Sequence, residues 1–283
     1  MCLTGDARYG AWAEKLLYNG VLSLPPVTKD GKIMYYANYF LDGGIKSNLD
    51  RRYHGAPEAY DDLNVTYHYS WQCCTGTYPQ AVAEYVNMIY FIRGGDLYVS
   101  QYMPSMLKEA VGGTQMTLTC KTRYPEEETV YYCISCESPV ERTIYFRIPA
   151  WVKESPAVYV NGVKQTVEGR PGEWMPVSKT WRDQDTIMVK IGMPLYFEKI
   201  DNKNKDIVSL LYGPVVLVSD DLAAFCEDPD HVEEWIERVP GERLKFRTKP
   251  GAMEGIYDFE TRDFVPYWSY PEGKWYFLYF WLH

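Results

Sequence analysis

Two adjacent cysteines, Cys73 and Cys74, stand in the stretch YSWQCCTGTYPQ, just ahead of a predicted helix. The partial positive charge at a helix N-terminus favours the thiolate over the thiol. A thiolate in this position can attack a carbon atom or bind zinc. From the residues alone, two packed thiols, a redox pair and a strained vicinal disulfide stay open as alternatives.

Histidines and carboxylates are the other residues that could do chemistry near this pair. His54 and His68 precede it, and each could line a polar pocket or be a hydrogen-bonded structural residue. Glycosidases ordinarily use two carboxylates on either side of the scissile bond, but no spacing singles out a pair here. The chain also has no G-x-S-x-G, H-E-x-x-H or glycine-rich phosphate loop. The carboxylate candidates in the helical part are Glu14, Asp42, Glu58, Asp61, Asp62 and Glu84.

The elements that must position these residues are predicted to be helices joined by long loops in residues 1–92. A first helix is predicted in RYGAWAEKLLYNGVLS, where apolar residues recur with a period near 3.6. Those apolar residues are Trp12, Leu16, Leu17 and Val21.

A second helix is predicted in TYPQAVAEYVNMIYF, immediately after the cysteine pair. Thr77 and Gln80 form a T-x-x-Q capping box, and Pro79 falls in the first turn, where its missing N–H costs little. These signals place the start of the helix at Thr77. Its predicted apolar stripe consists of Val82, Tyr85, Val86, Ile89 and Tyr90.

From Asp96 onward the hydrophobic period changes to two, and short strand candidates alternate with turn signals. Asn161-Gly162 between short apolar runs predicts a β-hairpin. This density of short strands predicts a β-sandwich. A second group of strand candidates follows from DIVSLLYGPVVLVSD to the end of the chain, interrupted by the polar stretch DPDHVEEWIERVP. We therefore expect an α+β multidomain chain.

Composition excludes several classes of partner. The net charge is −9 without a basic patch, so nucleic acid is not expected as a partner. No apolar run reaches about 18 residues, so no transmembrane helix is expected. The first six residues lack the basic region and apolar core of a secretory signal. The compartment stays open between bacterial cytoplasm and periplasm.

The seven cysteines are odd in number and irregularly spaced, unlike a secreted disulfide framework. Cys133 and Cys136 form a CxxC within the strand-like TVYYCISC, where residues three apart point to opposite faces of a sheet. We therefore interpret both, together with Cys120 and Cys226, as packing residues. Trp151, Trp174 and Trp181 are likewise interpreted as core or inter-domain packing residues rather than a sugar platform.

Several segments in order resemble the β-L-arabinofuranosidase-like glycoside hydrolases, families 127 and 146 and their relatives. These segments are LTGDARYGAWAEKLLYNGVLS, YYAN, the CC followed by a helix and IYF, DLYVSQYMPS, YFRIPAWV, VYVNG, DTIMVKIGMPL and LLYGPVVLV. The resemblance implies that residues 1–92 are the end of an (α/α)6 catalytic toroid. It further implies a β-sandwich at 93–198 and a second, jelly-roll-like β-sandwich at 199–283.

The resemblance also implies a retaining mechanism on L-arabinofuranosides or related plant glycans. Cys73 matches the nucleophile that forms a thioglycosyl intermediate, and Cys74 matches a neighbouring zinc ligand. Zinc is the cofactor of the full-length family, where it holds the cysteine region, and a glutamate acts as general acid and base. Tyr36 matches an aromatic residue facing the pocket, and His54 and His68 are the further substrate-binding candidates.

The sequence departs from the family pattern at Trp71, where some members have a further cysteine ligand. In the family, LTGD follows the catalytic glutamate and other zinc ligands, so this chain resembles the C-terminal portion of such an enzyme. We therefore expect weak or no zinc binding by this chain and inactivity without a dimer partner or a missing N-terminal half. The alternatives are a non-catalytic β-sandwich that binds glycan or supports a partner, and an unrelated redox or metal protein.

Overall fold

The computed structural model describes residues 4–23, 41, 43–45, 72–225, 228–253, 261–271 and 274–283. The chain divides into two compact units. The first unit consists of residues 1–14 and 84–194, and the second consists of residues 15–83 and 195–283. The predicted domain limits at residues 92 and 198 stay predictions.

Two α-helices occur in the described residues, α1 at Arg8–Asn19 and α2 at Gln72–Glu84. Neither is long and apolar enough to cross a membrane. Short 3-10 helices follow at Val21–Ser23, Tyr85–Met88, Val232–Glu234 and Tyr267–Ser269.

The buried stripe of α1 differs from the predicted one. Trp12 and Leu16 are exposed by 64% and 51%, so they do not form the buried face. Positions three or four apart are buried instead, which is the spacing of one helix face. The buried positions are Ala7, Gly10, Ala11, Glu14, Leu17 and Tyr18. The face therefore combines small residues with Leu17 and Tyr18 around one carboxylate.

The first unit is a two-sheet β-sandwich, as the period of two predicted. Its strands are β2 (Tyr90–Arg93), β3 (Asp96–Val99), β4 (Ser105–Val111), β5 (Thr114–Thr122), β6 (Thr129–Cys136), β7 (Val140–Arg147), β8 (Ala157–Val160), β9 (Val163–Lys164), β10 (Trp174–Trp181) and β11 (Thr186–Lys190). One sheet has the order β10-β7-β3-β2 and the other the order β4-β5-β6-β11-β8-β9. Residues 161 and 162 have positive φ in the β8–β9 turn, which confirms the predicted hairpin.

Alternate residues of both sheets form the core of this sandwich. Trp181, Phe146 and Ile144 come from one sheet, and Ile134 and Tyr132 come from the other. The rings of Tyr132 and Phe146 lie 5.3 Å apart. Burial of such side chains contributes about 25 cal/mol per Å² of apolar surface removed from water. Packing is thus confirmed for Trp181.

The thiols on these strands fit the packing interpretation. Cys120 and Cys136 are buried, Cys133 is partly buried, and all three are free. Strand β6 alternates in burial, so Cys133 and Cys136 point to opposite faces, as the spacing predicted. Cys226 lies outside the described residues.

The described residues of the second unit are also mainly β-structure. Its strands are β1 (Gly44–Ile45), β12 (Leu195–Lys199), β13 (Ile207–Tyr212), β14 (Val215–Val218), β15 (Ala224–Phe225), β16 (Ile236–Arg238), β17 (Phe246–Thr248), β18 (Asp263–Pro266), β19 (Trp275–Tyr276) and β20 (Phe280–Leu282). The main sheet has the order β15-β20-β13-β14-β18-β17-β16, and β12 pairs with β13. A separate pair joins β1 to β19.

Aromatic rings fill one face of this sheet. Phe225 lies at the centre, with ring centroids 4.9 Å from Trp235, 5.9 Å from Phe280, 6.1 Å from Phe264 and 5.4 Å from Phe197. Edge-to-face and tilted pairs of this kind add to the burial of apolar area. A mostly β fold with few helices is therefore confirmed for the described part of the chain, and the end of an (α/α)6 toroid stays a prediction.

Candidate functional site

Helix α2 carries the cysteine pair in its first turn. The predicted start at Thr77 is wrong, because the helix begins at Gln72 and Pro79 lies inside it. The capping-box pattern of Thr77 and Gln80 therefore falls within the helix. Helix N-termini leave backbone N–H groups unpaired and carry partial positive charge, which stabilises an anion nearby. The backbone position of Cys73 is thus compatible with a stabilised thiolate.

The end of α2 also differs from the prediction. The α-helix ends at Glu84, and a strand begins at Tyr90. Of the predicted stripe, Tyr85 and Ile89 are buried, whereas Val82 and Val86 are exposed by 41% and 69%. Tyr78 donates a hydrogen bond of 2.8 Å to the carbonyl of residue 21 within the second unit.

The structure does not describe the predicted substrate-binding residues. Tyr36, His54 and His68 lie outside the described residues. The structure describes the backbone at Cys73 and Cys74 and not their side chains. These five assignments therefore stay predictions.

A metal centre is not formed by the described side chains. Among them, no group of three or more His, Cys, Asp or Glu residues could hold a metal ion. Structural zinc sites have four ligands and catalytic zinc sites have three protein ligands and an open position. Zinc binding by Cys73 and Cys74 stays a prediction, and the two residues would supply only part of such a ligand set.

A buried polar cluster in the first unit is the most unusual arrangement of charged side chains that the structure describes. Glu14 and Arg147 are an ion pair at 2.6 Å, and neither side chain has any exposed surface. Tyr124 donates a hydrogen bond of 2.8 Å to the same carboxylate oxygen of Glu14. The indole of Trp151 donates to the other oxygen at 3.3 Å. Three donors therefore converge on one enclosed carboxylate, as a buried charge requires.

Arg147 is held on several sides. Its Nε donates to the carbonyl of Ser100 at 2.5 Å, and the Tyr102 hydroxyl donates to the Arg147 carbonyl oxygen. The guanidinium carbon lies 5.7 Å from the Tyr102 ring centroid, within cation–π range. Its Nη1 has no hydrogen-bond partner among the described residues.

The groups around Arg147 favour its charged form. Burial opposes the charged guanidinium, but the Glu14 carboxylate and the phenol groups of Tyr124 and Tyr102 outweigh it and raise the pKa of Arg147. Burial also raises the pKa of the Tyr102 hydroxyl. Tyr102 therefore stays neutral and acts as a donor next to the ion pair.

The sequence included Glu14 among the carboxylate candidates without a reason to prefer it. Its signal is its place in the buried stripe of α1, three residues after Ala11 and three before Leu17. A carboxylate on a buried helix face needs a partner. Glu84, by contrast, is exposed and accepts a hydrogen bond from Asn87 at 3.2 Å. Asp42, Glu58, Asp61 and Asp62 lie outside the described residues.

The outer face of the first sheet carries a row of rings. Phe91 on β2, Tyr98 on β3 and Tyr145 on β7 stand directly across from one another in register. Tyr98 and Tyr145 are stacked with centroids 4.5 Å apart, and Trp174 meets Tyr98 edge-on at 5.1 Å. All four side chains are partly exposed. Exposed ring faces of this kind can stack on a flat apolar surface of a ligand.

A pocket of about 290 Å³ lies in the second unit. It is lined by Leu16, Asn19, Ser209, Val216, Val218, Tyr267, Leu278 and Tyr279. Most of these side chains are apolar, and the amide of Asn19 already bonds to the backbone of residues 15, 214 and 216. No carboxylate, thiol or imidazole lines it, and its hydroxyl groups are those of Ser209, Tyr267 and Tyr279.

The sandwich of the first unit is similar to a domain of known enzymes. Residues 96–193 match the family described as Beta-L-arabinofuranosidase, GH127 middle domain. The resemblance predicted from the sequence is therefore confirmed over this segment. A comparison with curated proteins gives no match.

Solved structures extend the similarity of fold to nearly the whole chain. A GH127 β-L-arabinofuranosidase from Geobacillus stearothermophilus T6 matches with a TM-score of 0.70 and 19% identity over 99% of this chain and 47% of that chain. A GH127 β-arabinofuranosidase matches with a TM-score of 0.71 and 17% identity over 99% and 46%. A third structure, described as a glycoside hydrolase, has a TM-score of 0.67 and 19% identity over 99% and 49%. The chain thus spans about half the length of these structures.

Proposed function

We propose that this protein is an arabinofuranosidase-like glycoside hydrolase acting on L-arabinofuranosides or related plant glycans. The observation that carries the proposal is the match of residues 96–193 to the GH127 middle domain. The similarity of fold over nearly the whole chain supports it. We further propose that Cys73 is the nucleophile of a retaining reaction and that residues 1–92 correspond to the end of a helical toroid.

The proposed reaction has two displacements. The Cys73 thiolate attacks the anomeric carbon, a C–S bond forms, and the C–O bond to the leaving group breaks while a general acid protonates the departing oxygen. Water then attacks the same carbon, the C–S bond breaks, and the thiolate is restored as the water gives up a proton to the general base. Helix α2 supports this role because its first turn favours the anionic sulfur.

Neither described glutamate of the helical part is assigned the acid–base role. Glu14 is enclosed and accepts three hydrogen bonds, so it has no path to a bound glycoside. Glu84 is at the opposite end of α2 from Cys73. The residue that transfers the proton is therefore a glutamate other than these two.

Zinc belongs to the proposal only through the cysteine pair. Cys73 and Cys74 would hold the ion, which would keep their thiols deprotonated and stabilise the sulfur as a leaving group. Because two thiolates are an incomplete ligand set, we expect this chain to lose zinc on dialysis. Elemental analysis of the dialysed protein checks this expectation, and one zinc per chain that disappears in Cys74→Ser would contradict it.

Hydrolysis of an aryl L-arabinofuranoside tests the proposal. We expect turnover when a dimer partner or a second polypeptide completes the helical part, loss of that turnover in Cys73→Ser, and normal turnover in the control Cys133→Ser. The control thiol lies on strand β6 and is partly buried, so it matches the chemical change without touching α2. Turnover by Cys73→Ser at the wild-type rate would remove Cys73 from the mechanism.

A non-catalytic glycan-binding role is the second candidate, and the outer ring row favours it. Sugar rings present C–H faces that stack on exposed aromatic side chains, and Tyr98 and Tyr145 offer such a surface. Gel retardation on plant arabinan distinguishes the two functions. Retardation that Tyr98→Ala and Tyr145→Ala abolish, in a wild-type chain without turnover, would favour binding over hydrolysis.

The partner of either function is a plant-derived oligosaccharide or glycan. The net charge of −9 gives no basis for binding nucleic acid. A dimer or a second polypeptide that completes the helical part also belongs to the proposal. Light scattering of the purified chain, with and without substrate, reports the oligomeric state.

A further inference from the structure

Arg147 joins three segments of the first unit at one buried point. It is the last residue of strand β7, its Nη2 bonds to Glu14 in α1, and its Nε bonds to the carbonyl of Ser100 after β3. The N–H of Ser100 in turn donates to the carbonyl of Ile89 at 2.8 Å. One side chain thus links the sandwich to α1 and, through one further residue, to the segment that follows α2.

Helix α1 and the segment that follows α2 are also joined to each other and to the sandwich. Tyr85, the first residue after α2, donates a hydrogen bond of 3.3 Å to the carbonyl of Ala13, next to Glu14. The amide of Gln101 donates to the carbonyl of Gly10 at 2.9 Å. The Gln101 bond is buried and the Tyr85 bond is partly buried, so water competes little with the first of them.

We infer that Glu14 and Arg147 are positioning residues that set the placement of residues 8–14 of α1 and of residues 85–89, which follow α2, on the sandwich. The inference rests on the proposed function in one respect, since α2 is the helix that carries Cys73. Neither side chain touches the substrate in this proposal. They act by fixing residues 85–89, which directly follow α2. Helix α2 then connects this segment to Cys73 along the chain.

An ion pair suits this role better than an apolar contact would. Replacement of a buried ion pair by apolar side chains of similar volume is often neutral or stabilising, so stability alone does not account for it. A guanidinium has donors in a rigid fork, and Arg147 uses two of them in fixed directions toward Glu14 and Ser100. Such directional bonds define one orientation, whereas apolar packing tolerates several.

Hydrogen exchange on the full chain tests the positioning. The variants are Glu14→Gln and the double variant Glu14→Gln/Arg147→Met, with Glu127→Gln as the control. Glu127 forms an exposed ion pair with Arg123 at 3.2 Å in the same unit, so the control makes the same change without burial.

We expect the amides of residues 8–14 and 85–89 to exchange about a hundredfold faster in Glu14→Gln, because an unpaired buried charge opens its surroundings. Strands β5 and β6 accelerate less than these two segments, because only the loss of global stability reaches them, and the control keeps wild-type exchange throughout. In the double variant the strands regain protection while the two segments still exchange faster. Equal acceleration of all amides, or no acceleration, would overturn the inference.

The alkylation rate of Cys73 provides a readout that a purely structural role would not move. Iodoacetamide labelling at one fixed pH, resolved at Cys73 by mass spectrometry, should change about tenfold in rate in Glu14→Gln. Glu127→Gln should label like the wild type. An unchanged labelling rate of Cys73 in Glu14→Gln would refute the link to the nucleophile. Failure of the proposed function is read separately, as turnover that survives Cys73→Ser.

Discussion

Removal of one charge from the buried Glu14–Arg147 pair should strongly destabilise this fold. Tyr124 and Trp151 donate to different oxygens of Glu14, so Glu14→Gln keeps an acceptor for only one of them. It also leaves Arg147 charged and without its counter-ion. Because both side chains have no exposed surface, solvent does not screen the loss. Breaking a buried pair in this way costs about 3–5 kcal/mol. A domain is stable by only about 5–15 kcal/mol, so the variant should fold with a strongly reduced urea midpoint.

The double-mutant cycle with Arg147→Met separates the pair from its surroundings. Arg147→Met alone leaves the carboxylate of Glu14 with two neutral donors, so it is also destabilising. The double variant Glu14→Gln/Arg147→Met contains no buried charge, and its aliphatic side chain retains part of the packing. We therefore expect the double variant to be more stable than the sum of the single changes predicts, by about 2 kcal/mol or more.

Urea unfolding followed by far-ultraviolet circular dichroism measures these free energies, and equal m-values make the comparison valid. The control Glu127→Gln removes an exposed pair, and it should change stability by less than about 0.5 kcal/mol. Additivity of the two single variants within about 0.5 kcal/mol would refute an energetic coupling between Glu14 and Arg147. A cost for Glu14→Gln as small as that of the control would refute the burial of the pair.

Three further predictions concern other parts of the chain. Burial raises the pKa of Cys120 to about 11, so iodoacetamide at pH 8 should label it only after unfolding, as peptide mass spectrometry would show. Phe225→Ala should destabilise the second unit by about 3–5 kcal/mol in urea unfolding, because its ring touches four others. The Asp228 hydrogen bond raises the pKa of His231, so the pair stabilises the fold below the ordinary value of about 6.5 and loses this effect as pH rises through the raised pKa. Asp228→Asn should therefore lower the pKa that NMR titration gives for His231.

The strands were predictable because their signal is local. In β6 and β11 every second residue is buried, which is the alternation that the sequence displays. The Asn161-Gly162 hairpin was likewise predictable, since its two residues need positive φ. These features depend on neighbours along the chain, and a sequence contains that information directly.

The helices were predicted less well because the buried face was chosen by the size of the apolar side chains. Trp12 and Leu16 are large and apolar, but they are exposed in the described structure. The buried face combines small residues such as Ala11 with Leu17, Tyr18 and the carboxylate of Glu14. The start of α2 was misplaced because a T-x-x-Q pattern resembles a capping box wherever it occurs. The helix begins at Gln72, five residues before Thr77.

The pairing of Glu14 with Arg147 could not be predicted from any local sequence pattern. Glu14 contradicts the apolar face of α1, and Arg147 contradicts the alternation of β7, where residues 141, 143 and 145 are not buried. Each residue taken alone looks like an error of patterning. The two are 133 positions apart in the chain, and together they satisfy each other. A charged residue that violates the pattern of its own element is therefore a signal to search for a second violation of opposite charge elsewhere.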